Sequence, residues 1–306
     1  MEYFTVSPEN EDAGKRIDVY VSMLKDELSR SQVQKLISEG KVTVNSKPVK
    51  SNYRLRKDDV IDIEIPDPEP LEILAEDIKL DILYEDDDII VINKPQGMVV
   101  HPAPGHYSGT VVNALLFHCK GSLSGINGML RPGIVHRIDM NTSGVIVVSK
   151  SDAAHKSLAV QFAEHSISRK YKAIVLGNIK EDTITVDKPI GRNPKDRKKM
   201  AVISGGRRAV THFKVLERFG RYTYVEAELE TGRTHQIRVH MASIGHPLLG
   251  DNVYGSEKQP YKLTGQVLHA ALLGFNHPKT GEYMEFESQV PEYFSNLLKR
   301  FRNNQF

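Results

Sequence analysis

Three prolines at alternate positions, Pro66, Pro68 and Pro70, sit inside the acidic string IPDPEPLEILAED. Proline locks φ at about −65° and removes a backbone donor, so neither a helix nor a central strand runs through such a stretch. Prolines at this spacing favour an extended, stiff connection. A linker is therefore expected at about 66–80, dividing the 306 residues into a small module over 1–70 and a larger one over 80–306.

Charge follows the same division. Residues 13–57 carry eleven Lys and Arg against four Asp and Glu. Residues 58–88 carry fourteen acidic side chains and one Lys, and residues 89–306 carry 29 basic against 17 acidic ones. The net charge of +2 hides two basic blocks, a pattern that fits a polyanionic partner as well as it fits ordinary solvated surface. The single cysteine, Cys119, excludes a disulfide framework and any multi-cysteine zinc or iron–sulfur site. His235 and His240 are five apart with no Glu after His235, so the zincin pattern fails and no metal is expected. No basic-then-apolar leader opens the chain and no run of 18 apolar residues occurs, so a cytoplasmic protein without a membrane partner is expected.

In the first block Ile17, Val21, Leu24 and Leu28 recur at helical spacing. Ser29 or Ser31 caps a second helix with Val33, Leu36 and Ile37 on its apolar face, and Gly40 closes it. Val42 and Val44, a turn at 45–47 and a strand from Val60 to Ile65 follow. The stretch 13–65, with LSRSQVQKLISEGKVTVNSKPVK at its centre, resembles the αL-type RNA-binding fold first known from a small-subunit ribosomal protein. A helix N-terminus at Ser31, flanked by Arg30 and Lys35, offers N–H groups and charge to a phosphate. The same residues also read as ordinary helix-surface cations.

The second block mixes strands (89–92, 144–148, 171–176, 222–229) with helices (110–117, 152–165). It shows no regular βαβ rhythm and no GxGxxG after a strand, so a Rossmann or P-loop site is disfavoured. An α+β fold with a mixed, mostly antiparallel sheet is expected. In RPGIVHRIDMNTSGVIVVSK, polar Arg137, Asp139, Asn141, Thr142 and Ser143 crowd before a buried strand. A carboxylate entering a core strand can be held rigidly as a nucleophile or base. The same residues also make a turn capped by Asp, Thr and Ser. In TGRTHQIRVHMASIGHPLLGDNVYG, Thr234 is expected to cap a helix with Ile237, Met241 and Ile244 on one face, and Arg238 can pair with a buried carboxylate.

These strings, with INKPQGMVVHPAPG at 92–105, RKYKAIVLG at 169–177 and LHA at 268–270, resemble the RluA/RluD-type family of RNA pseudouridine synthases over nearly all of 80–290. Ile138 and Met140-Asn141 depart mildly from the family pattern. The resemblance implies an isomerase that breaks the glycosidic bond of a uridine and rejoins the uracil through carbon five, with no cofactor. It assigns the essential carboxylate to Asp139, its partner to Arg238 and an active-site tyrosine to Tyr171. The carboxylate attacks the sugar, attacks the ring, or stabilises charge while a neighbour removes a sugar proton; the sequence leaves all three open. Ile237 is expected to pack under the site, Thr142 and Lys170 to line the RNA path, and His136 and Arg137 to hold the catalytic loop or touch phosphate. The basic stretch 169–208, with RNPKDRKKM in its middle, is expected to grip RNA. The implied partner is ribosomal RNA or an assembling large ribosomal subunit, bound by a monomer. A non-catalytic ribosome-assembly factor and a nucleoside-cleaving carboxylate glycosidase are the rival readings.

Overall fold

The structure, a computed structural model, describes residues 2–25, 28–66, 73–103, 105–128, 131–255 and 261–304. Two compact units make up the chain, Met1–Leu71 and Glu72–Phe306. Residues 67–72, in the first half of the expected linker, lie outside the described residues. Residues 73–80 are not a free tether. The Asn113 side-chain amide donates to the Leu74 carbonyl at 2.8 Å, Glu76 accepts from the Gly109 N–H, and Ile73 and Leu80 pack on the larger unit's core.

The first unit is a four-stranded sheet with two helices: β1 (Glu2–Val6), α1 (Ile17–Leu24), α2 (Arg30–Ser38), β2 (Val42–Val44), β3 (Lys47–Pro48) and β4 (Ile61–Ile65). Ile17 and Val21 of α1 and Val33, Leu36 and Ile37 of α2 bury against Val42, Val44, Ile61 and Ile63. The helical spacing of four and three and the strand alternation thus meet in one core. Leu28 falls beyond the end of α1, and exposed Val60 falls before β4. Strand β1 was not expected. It pairs antiparallel with β4 from Glu2–Ile65 to Val6–Ile61, because β4 needs a partner on its second edge.

The second unit carries β5 (Ile82–Glu85), β6 (Ile89–Lys94), α3 (Val111–Cys119), β7 (Ser143–Ser149), α4 (Asp152–Ala163), β8 (Ser168–Leu176), β9 (Thr183–Asp187), β10 (Ile190–Arg192) and β11 (Met200–Val202). It continues with β12 (Val210–Arg218), β13 (Tyr222–Leu229), α5 (Gln236–Ser243), β14 (Leu268–Asn276), β15 (Tyr283–Glu287) and α6 (Glu292–Arg302). Its main sheet runs β5-β6-β7-β14-β8-β13-β12-β9, with β15 beside β14, and is antiparallel except between β14 and β7. The fold is α+β, as the patterning predicts. Among the described residues no helix is long and apolar enough to cross a membrane.

The central strands are buried on both faces, which is why 89–92 and 145–148 read as continuous apolar runs. Ile90, Ile92, Ile146 and Val148 face α3, whereas Ile89, Val91, Val145 and Val147 face α4. Farther along the sheet, Ala173 and Val175 pack with Ile237 and Met241 of α5, and Ile174 packs with α6. Tyr171 touches both the α3-side and the α5-side clusters, so it marks the seam between them.

One glycine decides how β7 joins the sheet. Gly144 has φ +117°, and a Cβ there would lie 2.1 Å from the Ala270 carbonyl oxygen. Only glycine lets the two backbones approach this closely and so brings the loop before β7 against β14.

Candidate active site

The loop 137–142 leads into β7, and its backbone is pinned from Asp139 to Thr142. The Thr142 N–H donates to the Asp139 carbonyl at 3.0 Å, closing a tight turn. The Met140 carbonyl accepts from the Gly97 N–H at 2.9 Å and from Lys94 Nζ at 3.1 Å. Gln96 donates to the Asn141 carbonyl, Asn141 donates to the Thr264 carbonyl, and Gln266 donates to Thr142 Oγ1. Lys94 is fully buried and also donates to the Pro95 and Met98 carbonyls, both at 2.8 Å. Burial pulls its pKa down to about 7, against the opposing pull of the Asp139 charge. Three carbonyls around one nitrogen match the three donors of an ammonium.

Asp139 points inward, its side chain 19% exposed. Arg238, buried on α5, donates from Nη1 to Asp139 Oδ2 at 2.9 Å. The same guanidinium donates from Nε and Nη2 to Asp251 at 2.7 and 3.0 Å. Asp251 is fully buried and accepts from the Val253 and Tyr254 N–H groups as well. Burial by itself would lower the Arg238 pKa and raise that of Asp251; their hydrogen bonds and charges outweigh it, so Arg238 is raised and Asp251 lowered. Tyr254 lies 5.0 Å under the guanidinium, and its hydroxyl meets His235 Nδ1 at 2.7 Å and the Met200 N–H at 2.9 Å. That last bond ties the basic hairpin β10–β11 to the site.

Thr234 does not cap α5. The helix starts at Gln236, and His235 takes the N-cap position with φ 57° and no side-chain cap. Buried Gln236 shapes the turn instead, accepting from the Arg233 N–H and Thr231 Oγ1 while donating to the Val210 carbonyl. This places His235 Nε2 3.8 Å from Asp139 Oδ1. Burial, partly offset by the Asp139 charge, lowers the His235 pKa, which favours the neutral ring. Ile244 is the C-cap and, as expected, packs on the same apolar cluster as Ile237 and Met241.

Tyr171 on β8 stands opposite Ala227 on one side and Ala270 on the other, and these small neighbours leave its ring room. Burial raises its pKa, keeping the phenol protonated at neutral pH. A cleft of about 590 Å³ is lined by Arg137, Asp139, Tyr171, Arg233 and His235 among others. A narrower floor of about 60 Å³ adds Thr142, Ile237 and Arg238. The structure therefore brings together Asp139, Tyr171, Arg238, Thr142, Ile237, Arg137 and, on the wall of the larger cleft, His136. Arg137 is exposed, 3.5 Å from His101. His136 serves the fold: its Nε2 accepts from the Val147 N–H at 3.1 Å, its ring stacks on Phe162, and burial pushes its pKa down to about 3. The ring is thus kept neutral, with Nε2 used as an acceptor for the backbone of β7. Lys170 faces Glu228 across β13 and does not line either cavity. Among the described residues no group of three His, Cys, Asp or Glu gathers that could hold a metal ion.

Arg30, Ser31 and Lys35 lie together on α2 of the first unit. Ser29, not Ser31, is the N-cap, in a reciprocal pair with Gln32. Ser31 and Lys35 are exposed. Arg30 donates at 3.0 Å to the fully buried Asp18, which also accepts from Arg16 and Gln34. Sequence reasoning overlooked Asp18, Lys94, Asp251 and Tyr254. The usable signal was a charged residue inside an otherwise apolar string: Asp18 in IDVYV, Lys94 after IIVIN and Asp251 after PLLG.

A partly buried carboxylate held by a buried guanidinium beside a tyrosine, in a cleft rimmed by arginines, has the chemistry that suits an enzyme acting on a polyanion. Residues 88–243 match the RNA pseudouridylate synthase family, and residues 15–61 match the S4 domain. An "Uncharacterized RNA pseudouridine synthase" of Bacillus subtilis is 52% identical over 304 residues, spanning 99% of this chain and 100% of its own length. "Ribosomal large subunit pseudouridine synthase D" of Zymomonas mobilis is 47% identical over 297 residues, covering 94% of this chain and 93% of its own. The solved structure of human RNA pseudouridylate synthase domain containing 1 aligns with TM-score 0.57 and 25% identity over 78% of this chain and 98% of that one. The chain belongs to the RNA pseudouridylate synthase family: it is an isomerase that turns uridine in RNA into pseudouridine, preceded by an S4 RNA-binding domain.

Proposed function

We propose that this enzyme modifies uridines of large-subunit ribosomal RNA, with Asp139 as the catalytic carboxylate. The observation that carries the reading is the 2.9 Å pairing of Asp139 with buried Arg238 at the floor of a cleft shared with Tyr171. Several relatives are named for the large ribosomal subunit, which supports the substrate class.

The reaction balances within the RNA. The bond from N1 of uracil to C1′ breaks, the base turns in the cleft, and C5 bonds to C1′. The hydrogen on C5 leaves as a proton and N1 ends protonated, so mass is unchanged. Asp139 faces the reacting atoms, Arg238 holds it in place, and Tyr171 offers a ring for the base to stack on and a protonated hydroxyl for proton transfer. Extruding the uridine costs a few kcal/mol, which contacts to neighbouring phosphates must supply. Exposed Arg137 at the rim and the hairpin anchored through Met200 and Tyr254 are placed to make them. The enzyme acts as a monomer in this reading, and the S4 unit adds RNA affinity through the α2 face of Arg30, Ser31 and Lys35.

The test has two parts. Pseudouridines are mapped across ribosomal RNA from cells with and without the protein, and the RNA that loses sites is assayed under single-turnover conditions. The wild type converts those uridines without releasing uracil, and Asp139→Asn is slower by at least about 10³-fold. Equal rates for the two would remove Asp139 from the chemistry, and sites lost only outside the large-subunit RNA would remove the substrate assignment.

A further inference from the structure

Arg169 stands two residues before Tyr171 on β8, 7% exposed. Its Nη2 donates to the Glu230 carbonyl at 3.3 Å, while its buried Nε has no hydrogen-bond partner. Among the described residues no carboxylate pairs with it. The Glu230 carboxylate is occupied elsewhere, by Arg208 at 3.0 Å and His212 at 2.8 Å. A guanidinium has five donors and no acceptor, and burying one without a counter-charge is among the costlier things a fold can do.

The surroundings keep that guanidinium in place. A Cβ on Gly232 would sit 2.6 Å from Arg169 Nη1, so the glycine leaves the space the arginine fills. Gly232 has no left-handed φ, so its backbone does not by itself call for glycine. The Phe162 ring lies 6.0 Å from the guanidinium on another side. Arg233 is fixed nearby by its Nε bond to the Arg208 carbonyl at 3.0 Å. Arg169, Arg233, Arg137 and His165 line the same 590 Å³ cleft as Asp139 and Tyr171.

We propose that Arg169 and Arg233 bind an RNA phosphodiester next to the extruded uridine, and that this phosphate is the missing counter-charge of Arg169. The proposal rests on reading the cleft as the uridine site. It makes Arg169 a positioning residue: it holds the backbone so that C1′ meets Asp139, and it takes no part in the bond changes. A planar fork suits a phosphate better than an ammonium does, so lysine is a poor replacement.

The test pairs protein and RNA changes. An RNA oligonucleotide spanning a uridine that the wild type converts is made with all phosphates, or with one neutral methylphosphonate on the 5′ or the 3′ side of that uridine. Arg169→Gln and Gly232→Ala are compared with wild type; the second keeps the arginine but pushes its tip aside. Each variant is expected to lose about 10- to 100-fold in single-turnover rate at subsaturating enzyme on the all-phosphate RNA, the range for one charged hydrogen-bonded contact. Arg169→Lys recovers only part of that loss. On wild type, one of the two methylphosphonates costs a similar factor, and on Arg169→Gln that same methylphosphonate costs less than about twofold more. Losses that multiply at both positions, or an Arg169→Gln rate within about twofold of wild type, would overturn the proposal. If Arg169→Gln does not fold, Gly232→Ala decides by the same comparison. A wild type that converts no uridine in RNA would remove the reading of the cleft, and the inference with it.

Discussion

Arg238 joins two carboxylates with one guanidinium: Nη1 goes to Asp139, and Nε with Nη2 goes to Asp251. Asp251 is the deeper of the two and makes the two-pronged contact, so it sets the plane in which Nη1 reaches Asp139. Asp251→Ala leaves a buried guanidinium half-paired. The expected cost is about 3–5 kcal/mol of stability, read by denaturant unfolding, with activity lost as well. Arg238→Lys does not rescue the site, because one ammonium cannot span both carboxylates in this geometry. Unchanged unfolding midpoints for Asp251→Ala would contradict the arrangement.

Lys94 ties the loop of Asp139 to β6 through the Met140 carbonyl. Lys94→Met keeps the volume and removes the three donors. Misplacing a reacting group by about 1 Å can cost roughly 100-fold, so a rate loss of about tenfold or more is expected with RNA affinity within about twofold. A loss of affinity with an unchanged rate at saturation would count against this role.

Tyr171→Phe separates ring from hydroxyl. Burial raises the phenol pKa, so the hydroxyl stays protonated through the neutral range, and the wild-type rate should show no inflection from tyrosinate between pH 6 and about 9. The variant keeps stacking and RNA affinity but loses roughly 100-fold or more in rate if the hydroxyl moves a proton. A rate equal to wild type would leave Tyr171 as a stacking platform alone.

Asp18 gives the S4 unit a defined response to acid. Burial would raise its pKa, but the hydrogen bonds from Arg16, Gln34 and Arg30 outweigh that and hold it well below the usual carboxylate range. A depressed carboxylate contributes stability that is fully present above its unfolded pKa of about 3.9 and is lost as pH falls through the folded value. The S4 unit of wild type should therefore lose stability as pH drops below about 4. Asp18→Asn should be less stable at pH 7 and show a flatter slope in that window, followed by urea unfolding at several pH values. Parallel slopes in the two proteins would rule this out.

Removing residues 1–71 tests the division of labour. The remaining chain keeps its own core and every residue of the cleft. It is expected to fold and to act on short RNA, with weaker binding and a shallower dependence of affinity on salt, because fewer phosphate contacts release counterions. A fragment that fails to fold, or a salt slope equal to that of the full chain, would argue against two separable domains.

Much of the fold was legible because its signals are local. The α2 face of Val33, Leu36 and Ile37 and the twice-buried runs of β6 and β7 announce themselves by period. Helix α6 carries an equally local signal, Phe294, Leu297, Leu298 and Phe301 forming one buried stripe. Strands β1 and β15 were not legible in the same way. Both are peripheral and half exposed; β1 pairs with β4, which lies far along the chain, and β15 pairs as an outer strand with its sequence neighbour β14.

The candidate site shows the same boundary. The resemblance of whole strings in order along the chain implied Asp139, Tyr171 and Arg238 as the site; taken singly, the same residues read equally as a turn cap, a core tyrosine and a surface arginine. Sequence order also marked the acidic, proline-broken division between two basic blocks. It did not show that Arg238 serves Asp251 as well as Asp139, that Lys94 reaches the Met140 carbonyl, or that Arg169 is buried beside Gly232 without a counter-charge. Those relations join atoms from strands and helices brought together only by the packed sheet. Pairing energies depend on distance and burial, so only the tertiary structure could decide them.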